Sequence, residues 1–248
     1  MKYYSIEKFD STGLTKTVYT LKEAGKWKYG EDGALDNYIE LGNELGITPY
    51  QMVRPSQTHT TVVRCVDMSN AGNGVVRLPD EGSCDGLLTN TPGLFLCTRE
   101  ADCVPVFMLD PVKKAVGMIH SGWRGTAGLI SVKAINLMES AYGSSKKDIM
   151  VALGPSICSA CYEVGDDLIP YFLENFSEDD ISILFKSKEN GKYTLDVAYA
   201  VKLSLLRCGI LDENIEMSKY CTYHDGLFSS YRLERSYVSH MLTGIMLK

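Results

Sequence analysis

The 248-residue chain is 45% hydrophobic and 23% charged, the balance of a soluble globule, and is long enough to build a core without disulfide staples. Its formal net charge of −6 argues against a broad nucleic-acid surface and leaves room only for a local basic pocket. Residues 1–8 contain no apolar run of signal-peptide length, and no stretch approaches the roughly 20 apolar residues of a membrane span, so the eight cysteines are expected as thiols in a reducing cytoplasm.

In chain order, residues 2–7 alternate weakly as an edge strand, and 16–21 follow as a second strand. Leu35, Tyr38, Ile39, Leu41 and Leu45 predict a helix over 34–45, stopped by Gly46. Strands are expected at 51–54 and 60–63, separated by Pro55 and the polar Gln57-Thr58-His59, then at 87–89 and 94–98. After the central unit, Thr126 is placed as N-cap of a helix over 126–142 that ends at Gly143. A short strand at 149–153 closes at Gly154-Pro155. Helices are predicted over 164–176, with acidic Asp166-Asp167 at its start, and over 195–208, ended by Gly209. The charged stretch 177–190 reads as exposed loop, and 217–221 and 240–247 as strands. Interleaved helices and strands, with several hairpin-like neighbours, give the class α/β (α+β) with mixed sheets.

The central unit runs from Glu100 to Gly125. Val104–Leu109 and Ala115–Ile119 read as two strands joined at Asp110-Pro111. In such a hairpin Cys103 at the entrance and His120 at the exit become neighbours. That juxtaposition suits a zinc or copper site, a Cys–His nucleophile pair, or simply a buried cysteine beside a hydrogen-bonded histidine. Arg124, two residues before the helix expected at Thr126, is the natural anion binder. Trp123 suits core packing or stacking on a base. Asp85 and Asp102 are candidates for proton transfer or for fixing a histidine tautomer. Cys158-Ser159-Ala160-Cys161 has no second Cys-x-x-Cys pair, so its thiols read as ordinary buried or half-buried residues. Cys221 reads as a core or strand residue, and His224 and His240 as surface or loop histidines.

Five segments occur in one order: Gln57-Thr58-His59, Cys84–Thr89, Ala101-Asp102-Cys103, His120–Gly125, and Gly154–Ile157 with Cys161–Gly165. That order resembles the polyphenol oxidase or laccase-domain family, the YfiH-type proteins, from about Asn37 to Tyr231, extended by Phe228–Arg232. The family's N-terminal Gly-Gly-x-Ser and Ser-Leu-Asn pieces are lacking. The resemblance implies a single layered domain over 1–248, with mixed β-sheets flanked by helices. It implies a metal site of His59, Cys103 and His120 holding zinc, with copper as the alternative, and three protein ligands leave a fourth position open. Cys103, His120, Asp85 and Asp102 are then the expected catalytic residues, and Arg124 and Arg232 the phosphate contacts. The implied activity is zinc-dependent purine nucleoside phosphorylase, with adenosine deaminase beside it. The expected partners are a purine nucleoside and phosphate, with neither nucleic acid nor membrane, in a cytoplasmic monomer or dimer.

Three other readings use the same residues. A multicopper oxidase centre needs a histidine-rich cluster, and four histidines are too few for one subunit, although a single copper fits the three ligands. A metal-free hydrolase would use Cys103 as nucleophile and His120 as base. A metal-dependent binding protein would need no turnover at all.

Overall fold

In the computed structural model, which describes residues 2–79, 82–235 and 239–248, the long apolar runs build two stacked sheets. One has the strand order Ile215–Met217, Met150–Leu153, Val104–Asp110, Ala115–Ser121, Gly86–Thr89, Val63–Cys65, antiparallel within and parallel at each outer pair. The other has the order Tyr3–Tyr4, Thr15–Thr20, Met241–Leu247, Phe95–Glu100, Met52–Val53, with only its last pair parallel. A three-stranded antiparallel patch of Glu163–Val164, Tyr193–Leu195 and Phe185–Ser187 lies apart from both.

The two-residue period of a strand explains the layering. Val104, Val106 and Met108 face outward onto the helices Ile130–Tyr142 and Val197–Cys208. Phe107 and Leu109, between them, face inward, where Val116 and Met118 join Leu96, Ile245 and Leu247 from the second sheet. The second sheet's other face, with Val18, Phe95, Cys97 and Leu242, packs on Tyr38, Leu41 and Leu45 of the helix Ala34–Leu45. The order is helix, sheet, sheet, helix. Both sheets are buried on both faces, so their strands read as continuous apolar runs rather than alternating ones. Each fully buried Phe, Leu or Met contributes roughly 1.5–3 kcal/mol of transfer free energy to this core. No helix among the described residues is long and apolar enough to cross a membrane.

The expected elements stand with seven changes. The strand expected over 2–7 is Tyr3–Tyr4 alone, followed by a helix over Glu7–Asp10; the strand expected over 60–63 is Val63–Cys65, because the Thr60 N–H and hydroxyl turn to the Asp85 carboxylate; and the strand expected over 217–221 is Ile215–Met217. The helix predicted over 126–142 is two: Trp123–Ala127, then Ile130–Tyr142 after Leu129 takes the left-handed conformation at φ 59°. Thr126 caps neither, because its hydroxyl is buried against the Ser121 hydroxyl at 2.8 Å. The helix predicted over 164–176 is cut to Ile169–Leu173, with Pro170 in its first turn and the strand Glu163–Val164 ahead of it. Leu195 ends a strand, and the next helix starts at Val197, where the Asp196 carboxylate accepts the Tyr199 N–H at 2.9 Å. The stretch 177–190 is not loop. Ser177 and Asp180 form a capping box on the helix Glu178–Leu184, which buries Leu184, and Phe185–Ser187 is a strand.

Candidate functional site

The inter-sheet layer stops being apolar at one end. On one sheet Leu96, Thr98 and Glu100 share the inward face, and on the other Val116, Met118 and His120 do. His120 and Glu100 therefore meet between the sheets, with His120 Nε2 3.8 Å from a Glu100 oxygen. The hairpin register pairs Val104 with Ser121 and Pro105 with His120, which brings Cys103 alongside His120. His59 arrives on the loop between the Met52–Val53 and Val63–Cys65 strands, at φ 61°. The ligand atoms of His59, Cys103 and His120 lie within 4.8 Å of one another, with Cys103 Sγ 4.0 Å from His59 Nε2.

Asp85, which precedes the strand Gly86–Thr89, organises two of these ligands. Its carboxylate accepts the backbone N–H groups of Thr58 at 3.3 Å, His59 at 3.0 Å and Thr60 at 2.6 Å, and the Thr60 hydroxyl at 2.8 Å. The same carboxylate lies 2.9 Å from His120 Nδ1. Burial works to raise its pKa, but the bonds from His120 and Thr60 hold it down at about 2. A permanent carboxylate makes Nδ1 the donor and leaves the His120 Nε2 lone pair for the site, the orientation found at metal-bound histidines.

The local field favours a cation. Burial opposes a charge on His120, yet Glu100, Cys103 and Asp85 push its pKa well above the usual histidine value. His59 goes the other way, lowered by burial and by His120, so it is a neutral donor. Glu100 is fully buried, which raises it to about 7 against the pull of His120. One of its oxygens accepts from Thr98 at 2.8 Å, and the other, the one facing His120, has no hydrogen-bond partner. The orphaned Glu100 oxygen, 3.8 Å from His120 Nε2, sets a carboxyl group behind one member of the trio, which fits a bound cation.

His59, Cys103 and His120 line a cavity of about 450 Å³. Its wall carries Arg99, Arg124 and Arg232, a basic lining within a chain of net charge −6. Arg124 is exposed on the first turn of the helix Trp123–Ala127, with its guanidinium 4.2 Å from the centre of the Trp123 ring. No ion pair to Arg124 exists among the described residues, which leaves it available to an anion. Trp123 packs on the helical core, as expected, and also lines the cavity. Arg232 lies 5.0 Å over the Tyr162 ring and donates to the Glu163 carbonyl at 2.6 Å. Asp102 lines the cavity at φ 82°, and its two oxygens are taken by the Thr222 hydroxyl at 2.6 Å and the Arg232 backbone N–H at 2.7 Å. Asp85 is fully buried behind the histidines.

Sequence reasoning passed over four features. Glu100 enters the sequence reading only as the first residue of the central unit, although its place two residues after Thr98 aims it inward. Arg99 reaches the cavity because Gln57 clasps its backbone, accepting its N–H and donating to its carbonyl, both at 2.8 Å. His240 is not a surface histidine. Strand Met241–Leu247 starts opposite Glu100, which puts His240 on the cavity wall, where burial and then Arg99 lower it to about 4. Cys158 and Cys161 are not isolated thiols, since Cys221 and His224 complete a second group whose ligand atoms lie within 4.8 Å. The signal was Cys221-x-x-His224, which repeats the Cys-x-x-Cys spacing with a histidine in its last place.

The chain is 36% identical over 235 residues to a purine nucleoside phosphorylase of Bacteroides thetaiotaomicron, covering 93% of this chain and 83% of that one. It is 34% identical to purine nucleoside phosphorylase YlmD of Geobacillus stearothermophilus, covering 85% and 77%. It is also 32% identical to adenosine deaminase RL5 of an unknown prokaryotic organism, covering 82% and 79%. Among solved structures, Bacillus licheniformis YfiH superposes with a TM-score of 0.88 at 29% identity, covering 98% and 96% of the two chains, and G. stearothermophilus YlmD with 0.85 at 28%, covering 94% and 92%. The family model described as multi-copper polyphenol oxidoreductase laccase matches residues 25–248, and with the shared fold and these relatives it shows that the chain belongs to that laccase-like, YfiH-type family.

Proposed function

We propose that this chain is a zinc-dependent purine nucleoside phosphorylase, splitting adenosine, inosine, guanosine and related nucleosides into base and ribose 1-phosphate. The observation that carries the reading is the trio His59, Cys103 and His120 on the wall of a cavity lined by three arginines. Two imidazoles and a thiolate suit zinc, and Asp85 holds His120 with Nε2 toward the other two ligands. When bound there, zinc supplies a Lewis acid beside the departing base.

The chain's own groups divide the remaining work. Phosphate docks on Arg124, with Arg232 on the opposing wall; Trp123, one face of which carries Arg124, holds that guanidinium rather than a purine. The nucleoside lies between the arginines and the histidines. As the N-glycosidic bond breaks, its electron pair moves to the purine, and phosphate oxygen bonds to C1′. The leaving purine takes its proton from solvent, and Glu100, fully buried 3.8 Å from His120 Nε2, acts through that histidine rather than on the substrate. Asp85 acts through His120, and Asp102 through Thr222 and Arg232, so both are positioning residues in this scheme.

A second activity at the same residues, adenosine deamination, is favoured by the likeness to adenosine deaminase RL5. It needs water in place of phosphate, so the two activities separate on mutation. Arg124→Ala should raise the phosphate KM while sparing deamination, and Cys103→Ala or His120→Ala should abolish both. The test is purified, metal-analysed protein incubated with inosine or adenosine across a phosphate series, following hypoxanthine, ribose 1-phosphate and ammonia. Phosphate-independent base release would point to a hydrolase. Activity in metal-free Cys103→Ala protein would remove the metal from the reaction, and phenol oxidation confined to copper-loaded protein would favour a single-copper oxidoreductase.

A further inference from the structure

Between the cavity-lining residues Ile157 and Tyr162 the chain carries two members of a second group of side chains that could hold a metal ion. Cys158 and Cys161 sit on one tight turn, in which the N–H groups of Cys161 and Tyr162 both donate to the Cys158 carbonyl at 3.1 Å. Cys221 joins that turn through a bridge with Ser156, and the Cys158 N–H points at Cys221 Sγ at 3.3 Å. His224 closes the group from the solvent side, with Nδ1 3.4 Å from Cys161 Sγ. Its other nitrogen lies 3.5 Å from an Asp225 oxygen, the arrangement that orients a metal-ligating imidazole.

We propose that Cys158, Cys161, Cys221 and His224 form a second, structural zinc site. Tetrahedral zinc, with Zn–S near 2.3 Å and Zn–N near 2.0 Å, sets its ligand atoms roughly 3.5–3.8 Å apart, so four donors already within 4.8 Å need little movement. Three thiolates are soft ligands that select zinc over magnesium or calcium. On binding, the three thiol protons go to solvent and His224 stays neutral, which leaves the complex with one net negative charge. All four positions are protein ligands, so no place remains for a substrate. What the site joins is informative. The turn carrying Cys158 gives the Ile157 N–H to the Asp102 carbonyl at 3.0 Å, and the loop carrying Cys221 gives the Thr222 hydroxyl to the Asp102 side chain. Zinc here would fasten the wall that holds Asp102, the residue before Cys103.

The inference does not rest on the reaction proposed above, and its test reads metal rather than turnover. Zinc per chain is measured in the wild type, Cys161→Ser, His224→Ala and Cys103→Ala proteins after dialysis against a weak chelator. The expected result is one zinc fewer in Cys161→Ser than in wild type, and at least a tenfold weaker hold on that zinc in His224→Ala. His224 is exposed on a loop, so its truncation leaves the fold intact. Cobalt-loaded Cys103→Ala protein should keep the near-ultraviolet thiolate-to-cobalt absorption of a tetrahedral site, and the Cys103→Ala, Cys161→Ser double variant should lose it. Wild-type zinc content in both Cys161→Ser and His224→Ala would overturn the proposal. So would a Cys158–Cys161 disulfide in protein purified anaerobically without reductant.

Discussion

Gly122 shows how closely the candidate centre is packed. A Cβ added there would lie 2.9 Å from the His59 ring and 3.0 Å from Cys103 Sγ, so Gly122→Ala should displace two ligands at once. The position has an extended backbone that alanine tolerates, so the expected outcome is weaker metal binding with an unchanged far-ultraviolet spectrum, checked by chelator competition. Asp85→Asn keeps the size but removes the charge that fixes His120, and should cost about 10–100-fold in metal affinity. Equal affinity in that variant would mean that His120 binds through its other nitrogen or not at all. Cys103 and His120 were legible in the sequence because they flank a hairpin, whose geometry is local, whereas His59 joined them only through the family resemblance. Glu100, Arg99 and His240 were not legible, because their place depends on the stacking of the two sheets and on a strand pairing within one of them, Met241 with Glu100, between segments some 140 residues apart.

At the scale of elements, Asp180 links the helix Glu178–Leu184 to Val197–Cys208 through both nitrogens of the Arg207 guanidinium. Those bonds hold its pKa at about 2 against burial, below the ordinary 3.8. A depressed carboxylate stabilises fully above its unfolded value, and that contribution is lost as pH falls toward the folded one. Asp180→Asn should therefore lower the melting temperature at neutral pH and flatten its decline between about pH 4 and pH 2. The effect should stay near 1 kcal/mol or less, because Arg207 is half-exposed and screened. Helix Ala34–Leu45 and the glycine stops at 46, 143 and 209 were readable, since an apolar period and a left-handed C-terminal glycine are written locally. The helix Glu178–Leu184 was hidden by its charge, although the Ser177 to Asp180 capping box stood in the sequence. The break at Leu129 was hidden for another reason. A Cβ on Gly128 would come 2.5 Å from the Thr61 methyl, a close approach between segments 67 residues apart, so tertiary packing interrupts a periodic pattern.

For the molecule as a whole, a bound metal adds stability by mass action. At a hundredfold excess over its Kd one site contributes about 2.7 kcal/mol. For a chain of this length that is a shift of roughly 5–11 °C, which a melting series with and without chelator would read directly, and an unchanged midpoint would count against both metal sites. The layered core also sets an order of events during synthesis. Strand Met241–Leu247, wholly buried, lies between Thr15–Thr20 and Phe95–Glu100, so the five-stranded sheet has a gap at its centre until residue 247 is available. A nascent chain must hold two apolar sheet edges open from the emergence of Phe95–Glu100 until Met241–Leu247 follows, a separation of some 140 residues. Chains arrested before residue 241 should be cut rapidly by protease and bound by holdase chaperones, and emergence of the strand Met241–Leu247 should end both.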